Sequence, residues 1–321
     1  MRNTSLFPIL FLSAILASSC GQPKTAGNET HPAVSADSVV KVPTPKDSLR
    51  KQIGQIAEMA KGKVGVAVLA FEDNDTLSFH GTDHFPMQSV FKFPLSIAML
   101  GQIDKGKYTL DDKIHFDKKD MEHGSWSPLH DKYPNGNVDI PLREILSYTV
   151  SKSDNSGCDK LFALLGGPQE VNKYIHSIGV KEINIVATEL EMRKDWDVQY
   201  TNWCEPEAML QLLQRMFQRK CLSIAGHDFL WKIMSETETG VKRIKGELPE
   251  GTPVAHKTGT GPTNKEGITS ATNDAGVITL PNGKHVALVV FVADAKGDEK
   301  ATEGTIAGIA KAVWDYYLRK H

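Results

Sequence analysis

Apolar, β-branched segments lie near both ends of the chain, whereas the middle of the chain has the periodicity of helices. Residues 64–71 form one such segment, which is typical of a buried strand, and residues 76–80 follow an Asp-Asn-Asp turn as its partner. Near the other end, strands are predicted at 252–257, 274–280 and 286–293. Strand-forming segments at both ends therefore enclose a helical middle.

This order predicts a mixed α+β fold. The Pro-Asn-Gly sequence at 281–283 separates two strands and indicates an antiparallel hairpin, not the alternating βαβ pattern of a parallel sheet. We expect residues of about 48–86 and 236–321 to form an antiparallel sheet flanked by helices, and residues of about 87–235 to form an all-helical subdomain. The first helix is predicted to follow Ser48 as its N-cap.

The first 47 residues have the pattern of an export signal followed by a tether. Residues 1–19 resemble a signal peptide, because a short positive start precedes an apolar run that is too short to span a membrane. Cys20 follows small residues as in a bacterial lipobox, in which the cysteine is lipidated; a plain signal peptide with an incidental cysteine is the alternative. Residues 20–47 are rich in proline and lack aromatic residues, as in a disordered tether. We expect an exported, periplasmic lipoprotein whose folded domain is 48–321.

The charge balance excludes some classes of partner. The chain has 37 lysine and arginine residues against 39 aspartate and glutamate residues, for a formal net charge of −2. Such a balance argues against a surface that coats nucleic acid. After the signal, no apolar stretch is long enough to cross a bilayer, so membrane contact is expected only through the lipid. We expect a monomer.

The cysteines and histidines do not indicate a disulfide framework or a metal centre. The chain has four cysteines, of which Cys158, Cys204 and Cys221 are expected to be buried thiols. His80 and His84 lie in a turn, and no matching set of downstream ligands is evident. We therefore predict no metal and no cofactor.

Ser89 and Lys92 form the first motif that can carry chemistry. A serine hydroxyl needs a base before it becomes a good nucleophile. Positions i and i+3 share a helix face, so Lys92 can lie beside the Ser89 hydroxyl, and burial could lower the lysine pKa enough for it to act as that base. The apolar run that follows Lys92 indicates that this helix is buried. The same Ser-x-x-Lys spacing elsewhere in the chain lacks such a run.

Two further short motifs follow. Ser153-Asp154-Asn155 supplies a hydroxyl that could relay a proton and an amide that could hold a substrate carbonyl, although a polar turn that caps the next helix is the simpler interpretation of the motif in isolation. Residues 257–260, Lys-Thr-Gly-Thr, end a predicted strand. Lysine and hydroxyl groups there could bind a substrate carboxylate, and the glycine would let a substrate approach closely. Taken alone, a basic strand end that runs into a turn is the simpler interpretation.

In this order, the three motifs resemble those of the penicillin-recognising serine enzymes, specifically the class A β-lactamases. The resemblance extends over about residues 48–320. Residues 85–92 (Phe-Pro-Met-Gln-Ser-Val-Phe-Lys), 126–128 (Trp-Ser-Pro) and 255–259 (Ala-His-Lys-Thr-Gly) are similar to the Bacteroides-type and related extended-spectrum branch. Gln88, not cysteine, precedes Ser89, so the disulfide of some carbapenem-hydrolysing relatives is not expected.

The resemblance implies a role for each matching residue. Ser89 would be acylated, Lys92 would help to activate it, and Ser153 would pass a proton to the β-lactam nitrogen. The backbone N–H groups of Ser89 and Thr260 would form an oxyanion hole. The substrate-binding residues would be Asn155, Lys257, Thr258, Gly259, Thr260, Trp126 at the entrance and Arg243, for which a surface charge is the alternative.

Deacylation distinguishes a β-lactamase from a penicillin-binding protein, because only the former activates a hydrolytic water. The resemblance implies that Glu189 is the catalytic carboxylate, with Glu191 as its rival. Three positions depart from the common class A pattern, namely Ala187 and Arg193 around the glutamate and Asp159 in place of asparagine. We expect hydrolysis of penicillins or cephalosporins through an acyl-enzyme; a D-Ala-D-Ala carboxypeptidase or transpeptidase and a non-catalytic β-lactam sensor are the alternatives.

Overall fold

The computed structural model describes residues 44–121 and 124–320, so the predicted signal peptide and Cys20 lie outside the described residues. The strands are β1 (Lys63–Ala70), β2 (Asp75–Phe79), β3 (Phe85–Pro86), β4 (Lys113–Phe116), β5 (Val138–Pro141), β6 (Ile183–Asn184), β7 (Trp203–Cys204), β8 (Val254–Thr260), β9 (Thr269–Thr279) and β10 (His285–Ala295). The α-helices are α1 (Pro45–Ala57), α2 (Lys92–Asp104), α3 (Lys118–Met121), α4 (Pro128–Lys132), α5 (Leu142–Ser151), α6 (Asn155–Leu165), α7 (Pro168–Ser177), α8 (Glu189–Met192), α9 (Pro206–Phe217), α10 (Ile224–Ser235) and α11 (Glu299–Arg319). Short 3₁₀ turns are Glu58–Ala60, Gln88–Phe91 and Asp197–Thr201.

The predicted mixed α+β fold is confirmed. Five strands form a sheet in the order β2-β1-β10-β9-β8, and every neighbouring pair for which the register is given is antiparallel. Strands from the N-terminal and C-terminal parts of the chain meet in the middle of the sheet, where β1 pairs with β10. The hairpin predicted at 281–283 connects β9 to β10.

Helices cover both faces of this sheet, which explains why β1 reads as a nearly continuous apolar run. Val64, Val66 and Val68 belong to the core beneath α1 and α11, whereas Ala67 and Leu69 point into the larger core shared with the helical segment. Within the described residues, no helix is both long enough and apolar enough to cross a membrane.

The first helix begins earlier than the sequence predicts. Thr44, not Ser48, is the N-cap: its hydroxyl accepts the N–H of Asp47, whose carboxylate in turn accepts the N–H of Thr44. Pro45 occupies the first helical position, where its missing N–H costs nothing. Helix α1 thus begins within the residues predicted as the tether, because Pro45, which matches tether composition, starts the helix.

The middle of the chain is mostly helical, but it also contains short strands. β4 pairs with β5, and β6 and β7 join β3 in a three-stranded sheet of order β3-β7-β6. Helix α2 lies at the centre of this segment, and its first ten residues, from Lys92 to Gly101, are all buried. This burial fixes the start of α2, where the first motif lies.

Candidate active site

Ser89 lies on the tight turn Gln88–Phe91 that leads directly into the buried helix α2. Strand β8 passes against this turn at Gly259. A β-carbon on Gly259 would lie 2.5 Å from the Met87 carbonyl oxygen and 3.1 Å from the Val90 nitrogen. The glycine therefore allows strand and turn to approach each other, which differs from the predicted reason, approach of a substrate.

The Lys92 side chain is fully buried, and oxygen atoms surround its Nζ. Its Nζ lies 3.0 Å from Ser89 Oγ and 2.9 Å from Glu189 Oε1. It also donates to the Ser153 carbonyl oxygen at 2.8 Å and to Asn155 Oδ1 at 2.5 Å. The first and second predicted motifs thus meet at one nitrogen atom, Lys92 Nζ.

Glu189 is the first residue of α8 and is buried beside the nucleophile. Ser89 Oγ donates to Glu189 Oε1 at 3.1 Å. The rival carboxylate, Glu191, is exposed and forms a capping box with Thr188, whose N–H donates to Glu191 Oε2 at 2.8 Å. Of the two candidates, the structure therefore brings Glu189 to the site, while Glu191 stabilises the start of the helix.

Asp159 and Arg193, two of the three positions that depart from the common class A pattern, hold the segment that carries Glu189. The Asp159 carboxylate accepts the N–H groups of Glu189 and Leu190 at 2.8 and 3.0 Å, so it satisfies two free donors at the start of α8. The Arg193 guanidinium donates to the Gly124 carbonyl oxygen at 2.7 Å. Both residues fix the backbone on either side of the Glu189 carboxylate.

Sequence reasoning missed the residue that organises the start of this segment. Asn202 is fully buried, its Oδ1 accepts the N–H groups of Val186 and Ala187, and its Nδ2 donates to the Ala187 carbonyl oxygen. A lone asparagine between a 3₁₀ turn and a short strand carries no motif. Its burial could be found only from the fold.

Lys257 joins the third motif to the second. Its buried Nζ donates to Ser153 Oγ at 2.9 Å and to the Thr258 carbonyl oxygen at 2.8 Å. Burial, reinforced by the nearby Lys92 charge, lowers the pKa of Lys257 well below its usual value, while Glu189 and Asp274 oppose the shift. Ser153 itself has a left-handed backbone with φ of 58°, which is uncommon outside glycine.

Arg243 is buried, so the alternative interpretation as a surface charge is wrong. Its guanidinium donates to Thr260 Oγ1 at 2.7 Å and to the carbonyl oxygens of Gly259 and Asn273 at 3.0 Å each. Its Nε lies 3.2 Å from the Glu303 carboxylate. It thus supports the end of β8 and also places positive charge behind the Thr260 hydroxyl.

A cleft of about 250 Å³ opens above these groups. Trp126 is 63% exposed at this cleft, and its Nε1 donates to the Lys152 carbonyl oxygen at 2.7 Å. Thr239, which sequence reasoning missed, contacts Thr258 through their two hydroxyl oxygens at 2.5 Å. The cleft is lined by Ser89, Trp126, Ser153, Asn155, Glu189, Thr239, Thr258 and Thr260.

The three remaining cysteines lie where the sequence predicts bystanders. Cys158 and Cys204 are buried free thiols, and Cys221 is a half-buried free thiol. Burial raises the pKa of each thiol, which makes the reactive thiolate rarer. None of the three lines the catalytic cleft.

Comparison with known proteins gives a consistent result. The family model of the β-lactamase enzyme family matches residues 48–317. The chain is 45% identical to the β-lactamase VEB-1 of Pseudomonas aeruginosa over 85% of this chain and 92% of that protein. It is 40% identical to the extended-spectrum β-lactamase PER-1 of the same species, over 85% and 88% of the two chains. A crystal structure of a β-lactamase from Chitinophaga pinensis is 53% identical and superposes with a TM-score of 0.83, covering 84% of this chain and 99% of the other.

Proposed function

The chain belongs to the β-lactamase enzyme family and hydrolyses β-lactams, and we propose that Ser89, Lys92, Ser153 and Glu189 carry out this reaction. The main support for the proposal is that Ser89 Oγ, Lys92 Nζ and Glu189 Oε1 all lie within 3.1 Å of one another. A nucleophile that contacts both an amine and a carboxylate has a proton acceptor for each half of an acyl-transfer cycle.

In acylation, Ser89 Oγ attacks the carbonyl carbon of the β-lactam ring, and its proton passes to Lys92 as a neutral amine, either directly or through the Glu189 carboxylate. Glu189 is therefore a carboxylate again when acylation ends. The C–N bond of the ring then breaks, and Ser153 Oγ gives its proton to the departing nitrogen. Lys257 donates to Ser153 Oγ at 2.9 Å, so it can return a proton to that hydroxyl. The product of this half-reaction is an ester between the opened drug and Ser89.

In deacylation, the Glu189 carboxylate takes a proton from a water molecule as the water attacks the ester carbonyl. The bond to Ser89 Oγ breaks, and Glu189 gives that oxygen the proton that it took from the water. Loss of the proton held by Lys92 and uptake of one by Lys257 restore the starting state. Asp159 acts as a positioning residue, because it holds the two N–H groups at the start of the helix that carries Glu189. This step makes the enzyme catalytic instead of a stoichiometric binder.

The substrate carboxylate is proposed to lie against the end of β8. Thr258 and Thr260 line the cleft with their hydroxyls, and the Lys257 and Arg243 cations lie directly behind those two residues. Asn155 is proposed to hold the substrate's side-chain amide, and Trp126 to cover the entrance. Burial strengthens the attraction of the Arg243 guanidinium for an anion in the cleft, and a substrate carboxylate there would favour the charged form of Lys257.

Turnover of the chromogenic cephalosporin nitrocefin tests the proposal. The wild-type protein should hydrolyse many equivalents of nitrocefin. Ser89→Ala should not hydrolyse nitrocefin, and the mass of this variant should not increase by the mass of the drug. Wild-type protein that binds one equivalent and then stops would instead support a penicillin-binding protein or a sensor. Full activity in Ser89→Ala would refute the assignment of the nucleophile.

We further propose that the protein is an exported, periplasmic monomer anchored by a lipid on Cys20, with residues 1–19 as the signal and 48–321 as the catalytic domain. The lipobox-like context of Cys20 supports this location. In cells fed a radiolabelled fatty acid, wild-type protein should carry the label and pellet with membranes, whereas Cys20→Ser should do neither. Equal labelling of the two proteins would refute lipidation at this residue.

A further inference from the structure

Three side chains that can bind a metal lie in a row across the three-stranded sheet. The register pairs Phe85 with Cys204 and Ile183 with Cys204, so the next residues outward, His84, Glu205 and Glu182, occupy one level on adjacent strands. Their ligand atoms all lie within 4.8 Å of one another. The Glu205 N–H donates to the Glu182 carbonyl oxygen at 3.0 Å, which fixes the two glutamates at the same level.

The His84 side chain is 52% exposed, and one face of its ring packs against a neighbouring aromatic ring. The His84 ring stacks on Trp203, with 3.5 Å between ring centroids and 11° between planes. Its Nε2 lies 3.8 Å from Glu205 Oε1. Two ligands of one zinc ion, each at about 2.0–2.1 Å, lie about 3.4 Å apart, so modest side-chain rotations would close this row around an ion.

The charges in this row favour a cation. Two carboxylates directly opposite each other on neighbouring strands repel. Glu182, Glu205 and Glu207 also line a cleft of about 670 Å³, alongside Lys181. The negative charge is therefore concentrated where the histidine nitrogen is also available.

The row lies at the base of the segment that carries Glu189. Glu182 immediately precedes β6 and Glu205 immediately follows β7, so the two glutamates bracket residues 185–202. His84 immediately precedes β3, which leads to the turn that carries Ser89. An ion bound by all three residues would connect both ends of the Glu189 segment to the strand before the nucleophile.

We propose that His84, Glu182 and Glu205 bind a divalent transition-metal ion, best matched by Zn²⁺, and that the ion clamps residues 185–202 at both ends. One imidazole nitrogen and two carboxylate oxygens, with a further position open to water, are a donor set that suits zinc. The site lies outside the catalytic cleft and does not depend on the proposed roles of Ser89 or Glu189. The sequence did not reveal it because the partners of His84 come from distant strands.

Zinc titration of the purified protein tests the site. Protein without a histidine tag, stripped with a chelator, is titrated with zinc chloride in a calorimeter. One ion should bind per chain, and His84→Ala and Glu182→Gln should each weaken binding at least about tenfold. His80→Ala, which removes a neighbouring exposed histidine, should bind like wild type. Absence of binding by wild type, or equal binding by wild type, His84→Ala and Glu182→Gln, would overturn the proposal.

Hydrogen exchange tests the clamp separately. With zinc added, amides of residues 185–202 should exchange more slowly in wild type and in His80→Ala, but not in His84→Ala. Zinc that binds at these residues and leaves the exchange of 185–202 unchanged would contradict the clamp. Because the readout is not activity, its failure is distinguishable from failure of the catalytic assignments.

Discussion

Two buried lysines lie beneath the candidate active site. Lys92 and Lys257 are both fully buried, and each donates hydrogen bonds to oxygens of residues that line the cleft. A buried ammonium group loses its hydration, so its charged form is favoured only as far as neighbouring oxygens and carboxylates replace water. For Lys257 this replacement is incomplete, and its pKa falls.

The depressed pKa of Lys257 should appear as a pH dependence of stability. Between the lowered pKa in the folded protein and the usual value of 10.5, the unfolded chain binds more protons at this residue than the folded protein does. The free energy of unfolding should therefore gain from Lys257 as pH rises through that window. Urea denaturation from pH 7 to 10 should show a smaller rise in Lys257→Met than in wild type. Identical pH profiles for the two proteins would contradict the depressed pKa.

Arg243 should matter for stability as well as for substrate binding. Arg243→Ala leaves the buried Glu303 carboxylate and two carbonyl oxygens without their donor, which should cost about 3–5 kcal/mol in the free energy of unfolding. Arg219→Ala is the matched control, because Arg219 forms an exposed pair with Asp228 and should cost less than about 1 kcal/mol. A loss in Arg243→Ala as small as in the control would show that the buried network is not stabilising.

At the scale of elements, the site is made by a close contact between β8 and the turn that carries Ser89. Gly259→Ala would place a methyl group against the Met87 backbone and should cost about 1–3 kcal/mol in stability, with slower acylation. Gly304→Ala, in α11, is the matched control, since its β-carbon would meet nothing within 4 Å and a helical alanine is favourable. Thermal denaturation and burst kinetics with nitrocefin measure both effects; a Gly259→Ala protein as stable and as fast as Gly304→Ala would refute the contact.

How far the sequence predicts each element depends on whether its signal is local. The long apolar runs of β1, β9 and β10 predict these strands. The specific turn residues between β9 and β10 predict the hairpin that joins them. The sequence misplaces the start of α1 because a proline such as Pro45 is common both in tethers and at the first position of a helix. The two-residue strands β6 and β7 carry no periodicity, so the position of the Glu189 segment could not be predicted.

At the scale of the whole molecule, the sheet is built from both ends of the chain and has a core on each face. The order of the three motifs indicated the family, but not the contacts among them. Asn202 and Thr239 were missed because each contributes through residues that are close only in the fold. The sequence does not predict the row of His84, Glu182 and Glu205 for the same reason, because these residues also come together only in the fold.

Intact-protein mass spectrometry tests most directly whether Glu189 promotes hydrolysis of the ester on Ser89 and so allows the enzyme to turn over. Glu189→Ala, mixed with a penicillin or cephalosporin, should retain the mass of the opened drug on Ser89 long after wild type has returned to its free mass. Glu191→Ala, which removes the capping-box carboxylate two residues away, should deacylate like wild type. Free protein recovered promptly from Glu189→Ala, or a stable adduct on Glu191→Ala alone, would contradict the account.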